Sequence, residues 1–408
     1  MTISQAKNGI RYAVRNFGNA VGYCALSIKV GTRNEGTYSS GIAHFVEHTL
    51  FKGTSRHKSE WINNYLEQLG GELNAYTTRE EIVLHATVLK DDMAKAASLL
   101  AEIAFEATFP ENEIEIEKGV VIDEIASYKD SPSEDIYDVF EEKIFEGSPL
   151  SRPILGTVES VQGISADELR RFRAQFFTPD RMSFTMVAPL PEKKMERIIE
   201  RTFAKYPAVG SRLPQSDKPF DYNNVFDITI DKKNHEVNCI IGSTAPSLYD
   251  DTERRLATIL LCNMLGGPAS NSILGRILRE KNGWVYNVDC SYAPYSDTGI
   301  VMIAFGCDKE NLNGCGRVIL RELRKLREKE LSPQRLKAAK RQLLGQNAIS
   351  RESGEAQCLS MCKNLAVFGN ILPQEELASR LMTISPALVR QMATEIFAED
   401  KLSKLVYL

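Results

Sequence analysis

Phe177-Thr-Pro-Asp180 runs into an apolar stretch ending at Val187, and about 220 residues later Phe397-Ala-Glu-Asp400 runs into a similar stretch ending at Tyr407. Each copy follows a helical pattern and closes its half of the chain. A duplicated α+β unit of about 200 residues would leave this trace. Between the copies the composition changes: YPAVGSRLPQSDKPFDY, residues 206–222, has three prolines and little periodicity, the mark of a linker. The expected organisation is an N-terminal domain over 1–205, a linker over 206–222 and a homologous C-terminal domain over 223–408.

Local patterns fill in the first half. Polar Ser27 and Lys29 alternate with apolar neighbours between Ala25 and Val30, which predicts a strand. Helical spacing covers 41–51, 59–69 and 90–105, whereas 72–88 is rich in Thr, Tyr and β-branched residues and reads as paired strands. A long acidic helix should begin near Pro110, a residue suited to a first turn, with Ile114, Val120, Val121 and Ile125 on its apolar side.

The whole chain has 408 residues, 43% hydrophobic and 25% charged, with a net charge of −4. That describes a soluble protein of two or three domains and excludes nucleic-acid binding through bulk charge. The basic run 321–329 is broken by Glu322 and Glu328 and followed by Glu330, so it predicts a solvent-facing, ion-paired helix. No apolar run approaches the roughly 18 residues of a membrane span, and MTISQAKNGIRYAV lacks the layout of an export signal. A cytoplasmic location with no membrane span is expected. The eight cysteines include no Cys-x-x-Cys pair, which predicts reduced, buried thiols; Cys358 and Cys362 read as packing residues.

Two of only five histidines lie one helical turn apart in His44-Phe45-Val46-Glu47-His48. On a helix both imidazoles and Glu47 share a face. Such a pair suits zinc, and a neighbouring carboxylate can take a proton from the water that zinc acidifies. His-x-x-Glu-His is the inverted form of the His-Glu-x-x-His protease signature. A catalytic zinc needs a third protein ligand. Glu113, Glu117 and Glu124 can all line one face of the acidic helix, and spacing does not choose among them.

GIAHFVEHTLFKGT (41–54), GGELNAYTTREEIVLHA (70–86) and EKGVVIDEIASYKDSP (117–132) together resemble the pitrilysin and insulinase superfamily of zinc peptidases, inverzincins, with a closest likeness to the mitochondrial processing peptidase-like branch and its bacterial relatives. The resemblance implies His44, His48 and Glu124 as ligands of one Zn²⁺ per chain, Glu47 as general base and acid, and Glu117 as a carboxylate that orients the site. LREKNGWVYNV (278–288) matches a segment with Arg and Tyr seven residues apart, so Arg279 and Tyr286 are implied to hold substrate and stabilise the oxyanion. Asn74, Ala75 and Tyr76 match the strand edge that pairs with extended substrate. Gly266-Gly267-Pro268-Ala269-Ser270-Asn271 resembles the family's glycine-rich turn but carries a proline. His57 and His85 fall on no ligand position and read as structural, and Trp61 and Trp284 as core or chamber-lining aromatics.

The resemblance therefore implies two homologous α+β halves, each a mainly antiparallel sheet packed with helices, forming a clamshell around a chamber. It implies a zinc metalloendopeptidase acting on extended peptides or presequence-like segments, working as a homodimer or as a heterodimer with an inactive relative. The alternatives are a non-catalytic partner or structural subunit of a processing-peptidase-like complex, and a purely structural zinc.

Overall fold

The computed structural model describes residues 1–208, 220, 222 and 224–408. Most of the expected linker, 206–222, lies outside the described residues. The chain divides into two compact units.

The first unit is built on six strands: β1 (Thr2–Gln5), β2 (Arg11–Asn16), β3 (Val21–Ile28), β4 (Glu72–Thr77), β5 (Ile82–Leu89) and β6 (Met182–Ala188). They lie in the order β1-β2-β6-β3-β5-β4, antiparallel except where β2 runs beside β6. The second unit has β7 (Asp227–Ile230), β8 (Val237–Ala245), β9 (Val285–Pro294), β10 (Gly299–Cys307) and β11 (Ser403–Tyr407). Their order is β7-β11-β8-β10-β9, again with one parallel pair, β7 and β11. Shifted by five strands, this repeats the β2-β6-β3-β5-β4 arrangement. The rhyming segments sit at equivalent places, each a 3-10 turn, Pro179–Arg181 or Glu399–Lys401, leading into β6 or β11. The expected α+β class with two like halves is what the chain adopts.

Four helices of the first unit frame its sheet: α1 (Ile42–Leu50), α2 (Ser59–Glu67), α3 (Met93–Glu106) and α4 (Glu111–Lys129). Helix α4 buries Ile114, Val121 and Ile125, but Val120 is exposed, contrary to expectation. Two segments cross the expected boundary. Helix α5 (Pro132–Ile144) belongs to the second unit, where Ile136, Phe140 and Ile144 pack against Ile240, Ile300 and Leu405. Conversely the helix Gly354–Phe368 belongs to the first, with Cys358, Met361, Cys362 and Leu365 packed against Ala13, Ala25, Val83 and Val187. Each fully buried Ile, Leu, Val, Met or Phe side chain among these contributes about 1.5–3 kcal/mol.

Those helices cover the second face of each sheet, which explains a departure in β3. Ser27 does not face solvent: it is buried, its hydroxyl donates to Glu81 at 3.2 Å, and the strand ends at Ile28. All eight cysteines are free and buried. Glu322, in the helix Leu312–Glu328, is buried and paired with Arg321 and Lys325 instead of standing in solvent. Among the described residues no helix is long and apolar enough to cross a membrane.

Candidate metal centre

Helix α1 buries Ile42, Ala43, Phe45, Val46, Thr49 and Leu50 in the core of the first unit. Its remaining face then carries His44, Glu47 and His48 together. The helix start is held from outside by Glu35, fully buried, whose Oε1 accepts from the Ala43 N–H at 3.2 Å while Arg152 lies 3.5 Å from Oε2. Negative charge at a helix N-terminus is favourable, although burial pushes the Glu35 carboxyl up to about 8 against those contacts. Gly41 caps the helix at φ 84°, and a Cβ there would lie 2.6 Å from the Leu155 carbonyl oxygen, so only glycine fits this turn.

Opposite α1, helix α4 presents Glu117 and Glu124. Glu124 Oε2 lies 3.4 Å from His48 Nε2 and 3.7 Å from His44 Nε2, with the two imidazole centroids 4.6 Å apart. One ligand atom from each of His44, His48 and Glu124 falls within 4.8 Å of the others. Glu117 takes the far side of His48: its Oε1 is 2.8 Å from His48 Nδ1, and its Oε2 is 2.6 Å from Lys52 Nζ. Glu113, the third carboxylate that spacing allows, instead accepts from Asn112 at 3.3 Å.

The electrostatics follow from these contacts. Burial and the nearby His48 lower the His44 pKa to about 4, which leaves a neutral imidazole. Burial opposes protonation of His48 too, but Glu117 and Glu124 override it and raise its pKa to about 9 in the metal-free chain. Despite its own burial, Glu117 is held below the usual carboxylate range by His48 and Lys52, and Glu124 is lowered by its hydrogen bond to His48. Burial pushes Glu47 up, and the hydroxyl of Thr77, donating to Glu47 Oε2 at 2.5 Å, opposes that shift.

The donor set fits a zinc ion. Two imidazoles and a carboxylate are its common ligands, and the far nitrogen of His48 is held by a carboxylate, the usual support for a metal-bound histidine. The His44 ring is buried with Nδ1 unpartnered, and its Nε2 is beyond hydrogen-bond reach of Glu124. That costs free energy unless a ligand compensates. With three protein ligands, one position stays open for chemistry.

Strand β4 forms the outer edge of the sheet beside this cluster. Leu73 and Ala75 pack toward the core shared with α1, whereas Tyr76 faces the other way, against the group that includes Cys358 and Cys362. Of Asn74, Ala75 and Tyr76, the Tyr76 side chain therefore points away from the metal cluster. Arg279 and Tyr286 belong to the second unit; both are exposed, Arg279 paired with Glu280 at 3.0 Å and Tyr286 donating to Asp308 at 2.8 Å. His57 is 2.7 Å from Glu102 and stacks at 3.5 Å on Trp61, whose exposure excludes the core alternative of the two expected for it.

The pattern reading missed Thr77, Lys52 and Glu35. Thr77 follows the matched Asn74-Ala75-Tyr76 directly, two residues beyond Ala75, and strand alternation places both on one face. Lys52 lies one turn beyond His48. Glu35 carried no signal, because its role depends on a loop folding back onto α1.

Residues 12–158 match the model described as Insulinase (Peptidase family M16), and residues 163–343 match the model described as Peptidase M16 inactive domain. The chain belongs to the M16 peptidase family. Its matched inactive-domain half lacks the His-x-x-Glu-His pattern that the first half carries. This M16 chain is 29% identical over 396 residues to a Bacillus subtilis protein named "Uncharacterized zinc protease YmxG", covering 97% of this chain and 95% of the relative. A Rickettsia bellii protein named "Uncharacterized zinc protease" is 29% identical over 406 residues, covering 99% and 97%. The fold matches the crystal structure of a protease from Helicobacter pylori with a TM-score of 0.91 at 19% identity, over 100% of this chain and 98% of the other.

Proposed function

We propose that this M16 chain is a zinc-dependent metalloendopeptidase that cleaves extended peptides, presequence-like segments among them. The observation that carries the reading is the convergence of His44, His48 and Glu124 within 4.8 Å, with the Glu47 carboxylate on the same helix face. His44, His48 and Glu124 would hold Zn²⁺, one per chain, and Glu117, tied to Lys52, would fix the His48 ring. Zinc, when bound, supplies Lewis-acid polarisation of the scissile carbonyl and acidifies a water.

Glu47 accepts the proton of the attacking water and returns it to the leaving amine. The unpaired edge of β4 receives the substrate backbone as an added strand, so recognition there depends little on side chains. Arg279 and Tyr286 donate to the substrate backbone and the developing oxyanion, a contribution often worth several kcal/mol. A chain with both residue sets can act alone or as a homodimer, the alternative being a heterodimer with an inactive relative. The rival reading, a non-catalytic partner subunit, does not account for the full set of ligands and base.

Metal content and cleavage of a quenched peptide library, with and without chelator, test the proposal beside Glu47→Gln. About one zinc per chain, chelator-sensitive cleavage and an inactive Gln variant that keeps zinc are expected. Zinc without cleavage would favour the partner-subunit reading, and undiminished turnover in Glu47→Gln would remove the mechanism.

A further inference from the structure

The segment that bears Tyr286 rests on a pair of thiols. In the β9–β10 ladder Asn287 pairs with Gly306 and Val285 with Cys307, so the pairing skips Tyr286 and leaves it on a bulge. Cys307 ends β10, and Cys315 closes the first turn of the helix Leu312–Glu328, its N–H on the Asn311 carbonyl at 2.9 Å. Both are fully buried, and the Cys307 thiol donates to Cys315 Sγ. The Trp284 ring covers Gly314, where an added Cβ would lie 3.0 Å from it. Asp308, which accepts the Tyr286 hydroxyl at 2.8 Å, follows Cys307 directly. Trp284, Val285 and Tyr286 therefore each contact Cys307 or the loop 308–314 that the two cysteines bracket.

Two features set this pair apart from buried thiols that are merely inert packing. The positive end of the helix favours a thiolate at Cys315, and the hydrogen bond from Cys307 holds the Cys315 thiol below its ordinary range against burial. Solvent is also close. Asp308, Lys309, Glu310 and Asn313 in the bracketed loop are exposed, and the space beside Gly316, the residue after Cys315, is open. Cys262 and Cys290 also meet, but Cys262 lies near the C-terminal end of its helix, Thr252–Gly266, where a thiolate is disfavoured.

We propose that Cys307 and Cys315 form a reversible oxidation site, which hydroperoxides convert to a disulfide. The Cys315 thiolate attacks one peroxide oxygen, the O–O bond breaks, and the other oxygen leaves with a proton from solvent as water or an alcohol, so that Cys315 becomes a sulfenic acid. The Cys307 thiol then displaces the sulfenic hydroxyl as water and the S–S bond forms. Two thiols are oxidised and one peroxide is reduced. Bringing the sulfurs to about 2.05 Å draws Cys307 toward Cys315 and disturbs both the ladder partner of Val285 and the Trp284 contact on Gly314. Loss of turnover on oxidation rests on the peptidase reading above; formation of the disulfide does not.

The test exposes the zinc-loaded chain to hydrogen peroxide, alkylates the remaining thiols under denaturation and maps the peptides by mass. A Cys307–Cys315 linkage that a phosphine reductant removes is expected, with a reversible change in Trp284 fluorescence measured in a Trp61→Phe background. Cleavage of quenched peptides should fall about tenfold in kcat, as for loss of the Tyr286 hydroxyl, and recover on reduction. Cys307→Ala and Cys315→Ala should each abolish these changes, whereas Cys239→Ala and Cys262→Ala should keep them; mapping of the wild-type chain decides the linkage if an alanine variant fails to fold. All eight thiols still alkylatable after peroxide, or a linkage that forms elsewhere and not at Cys307–Cys315, would overturn the site. A linkage that leaves Trp284 fluorescence and kcat unchanged would overturn its effect on the Tyr286 segment. A chain that cleaves nothing before oxidation defeats the peptidase reading, while mapping and fluorescence still judge this inference.

Discussion

The Thr77 hydroxyl donates to Glu47 Oε2 across 2.5 Å, which joins the proposed base on α1 to the last residue of the edge strand β4. The strand proposed to receive substrate on its open edge thus also fixes the direction of the carboxylate proposed to act on the attacking water. A hydrogen bond to a charged group is worth about 1.5–3 kcal/mol, or roughly ten- to a hundredfold in rate if it is needed in the transition state.

Thr77→Val should therefore lower kcat by about tenfold or more while KM and zinc content stay near wild type, and Thr77→Ser should restore most of the loss. Steady-state kinetics with metal analysis on the three proteins check this. A Val variant with wild-type kcat would show that Glu47 needs no such partner.

Much of this site is legible in the order of residues, because a helix converts the spacing of His44, Glu47 and His48 into one face. The choice among Glu113, Glu117 and Glu124 is not, since all three can share a face of α4 and only the placement of α4 opposite α1 separates them. Thr77 lies 30 residues from Glu47, and no local period reveals a contact of that range. Strands were hidden for another reason. Every position of β10 is buried, so that strand shows no alternation, and Ser27 looks solvent-facing only until the helix Gly354–Phe368 is placed over its sheet. A boundary read from composition likewise assumes contiguous halves, whereas α5 and Gly354–Phe368 each pack with the unit built mainly from the other half.

Lys52 is expected to act on metal affinity through Glu117 and His48, since its ammonium sits 2.6 Å from the carboxylate that holds the His48 ring. Lys52→Met should weaken zinc binding by roughly ten- to a hundredfold, and Lys52→Arg should recover part of it. Competition against a chromophoric chelator measures the change. Unaltered affinity in the Met variant would limit Lys52 to packing.

Tyr286 is 60% exposed, so removing its hydroxyl should leave folding intact. Its hydroxyl donates to Asp308 at 2.8 Å in the free chain and would have to turn from that carboxylate to the substrate, so Tyr286→Phe should reduce kcat by about tenfold with a smaller change in KM, as expected for a bond formed mainly in the transition state. Equal kcat in the two proteins would take Tyr286 off the list of catalytic groups.

Glu35 makes stability depend on pH in a direction opposite to that of an ordinary ion-paired carboxylate. Its folded-state pKa is pushed up to about 8 by burial, above an unfolded value near 4.3. The folded chain then holds a proton that the unfolded chain has released. The associated stability is fully present below the unfolded value and is lost as pH rises through 8, by up to about 5 kcal/mol. Glu35→Gln keeps an acceptor for the Ala43 N–H but cannot titrate, so its stability should change less between pH 5 and pH 8. Denaturant unfolding of both metal-free proteins at the two pH values measures the difference, and metal-free protein removes the pH dependence of zinc binding from the comparison. Equal losses would mean that Arg152 and the N-terminus of α1 keep Glu35 ionised in the fold, and that its grip on α1 is electrostatic instead of a neutral hydrogen bond.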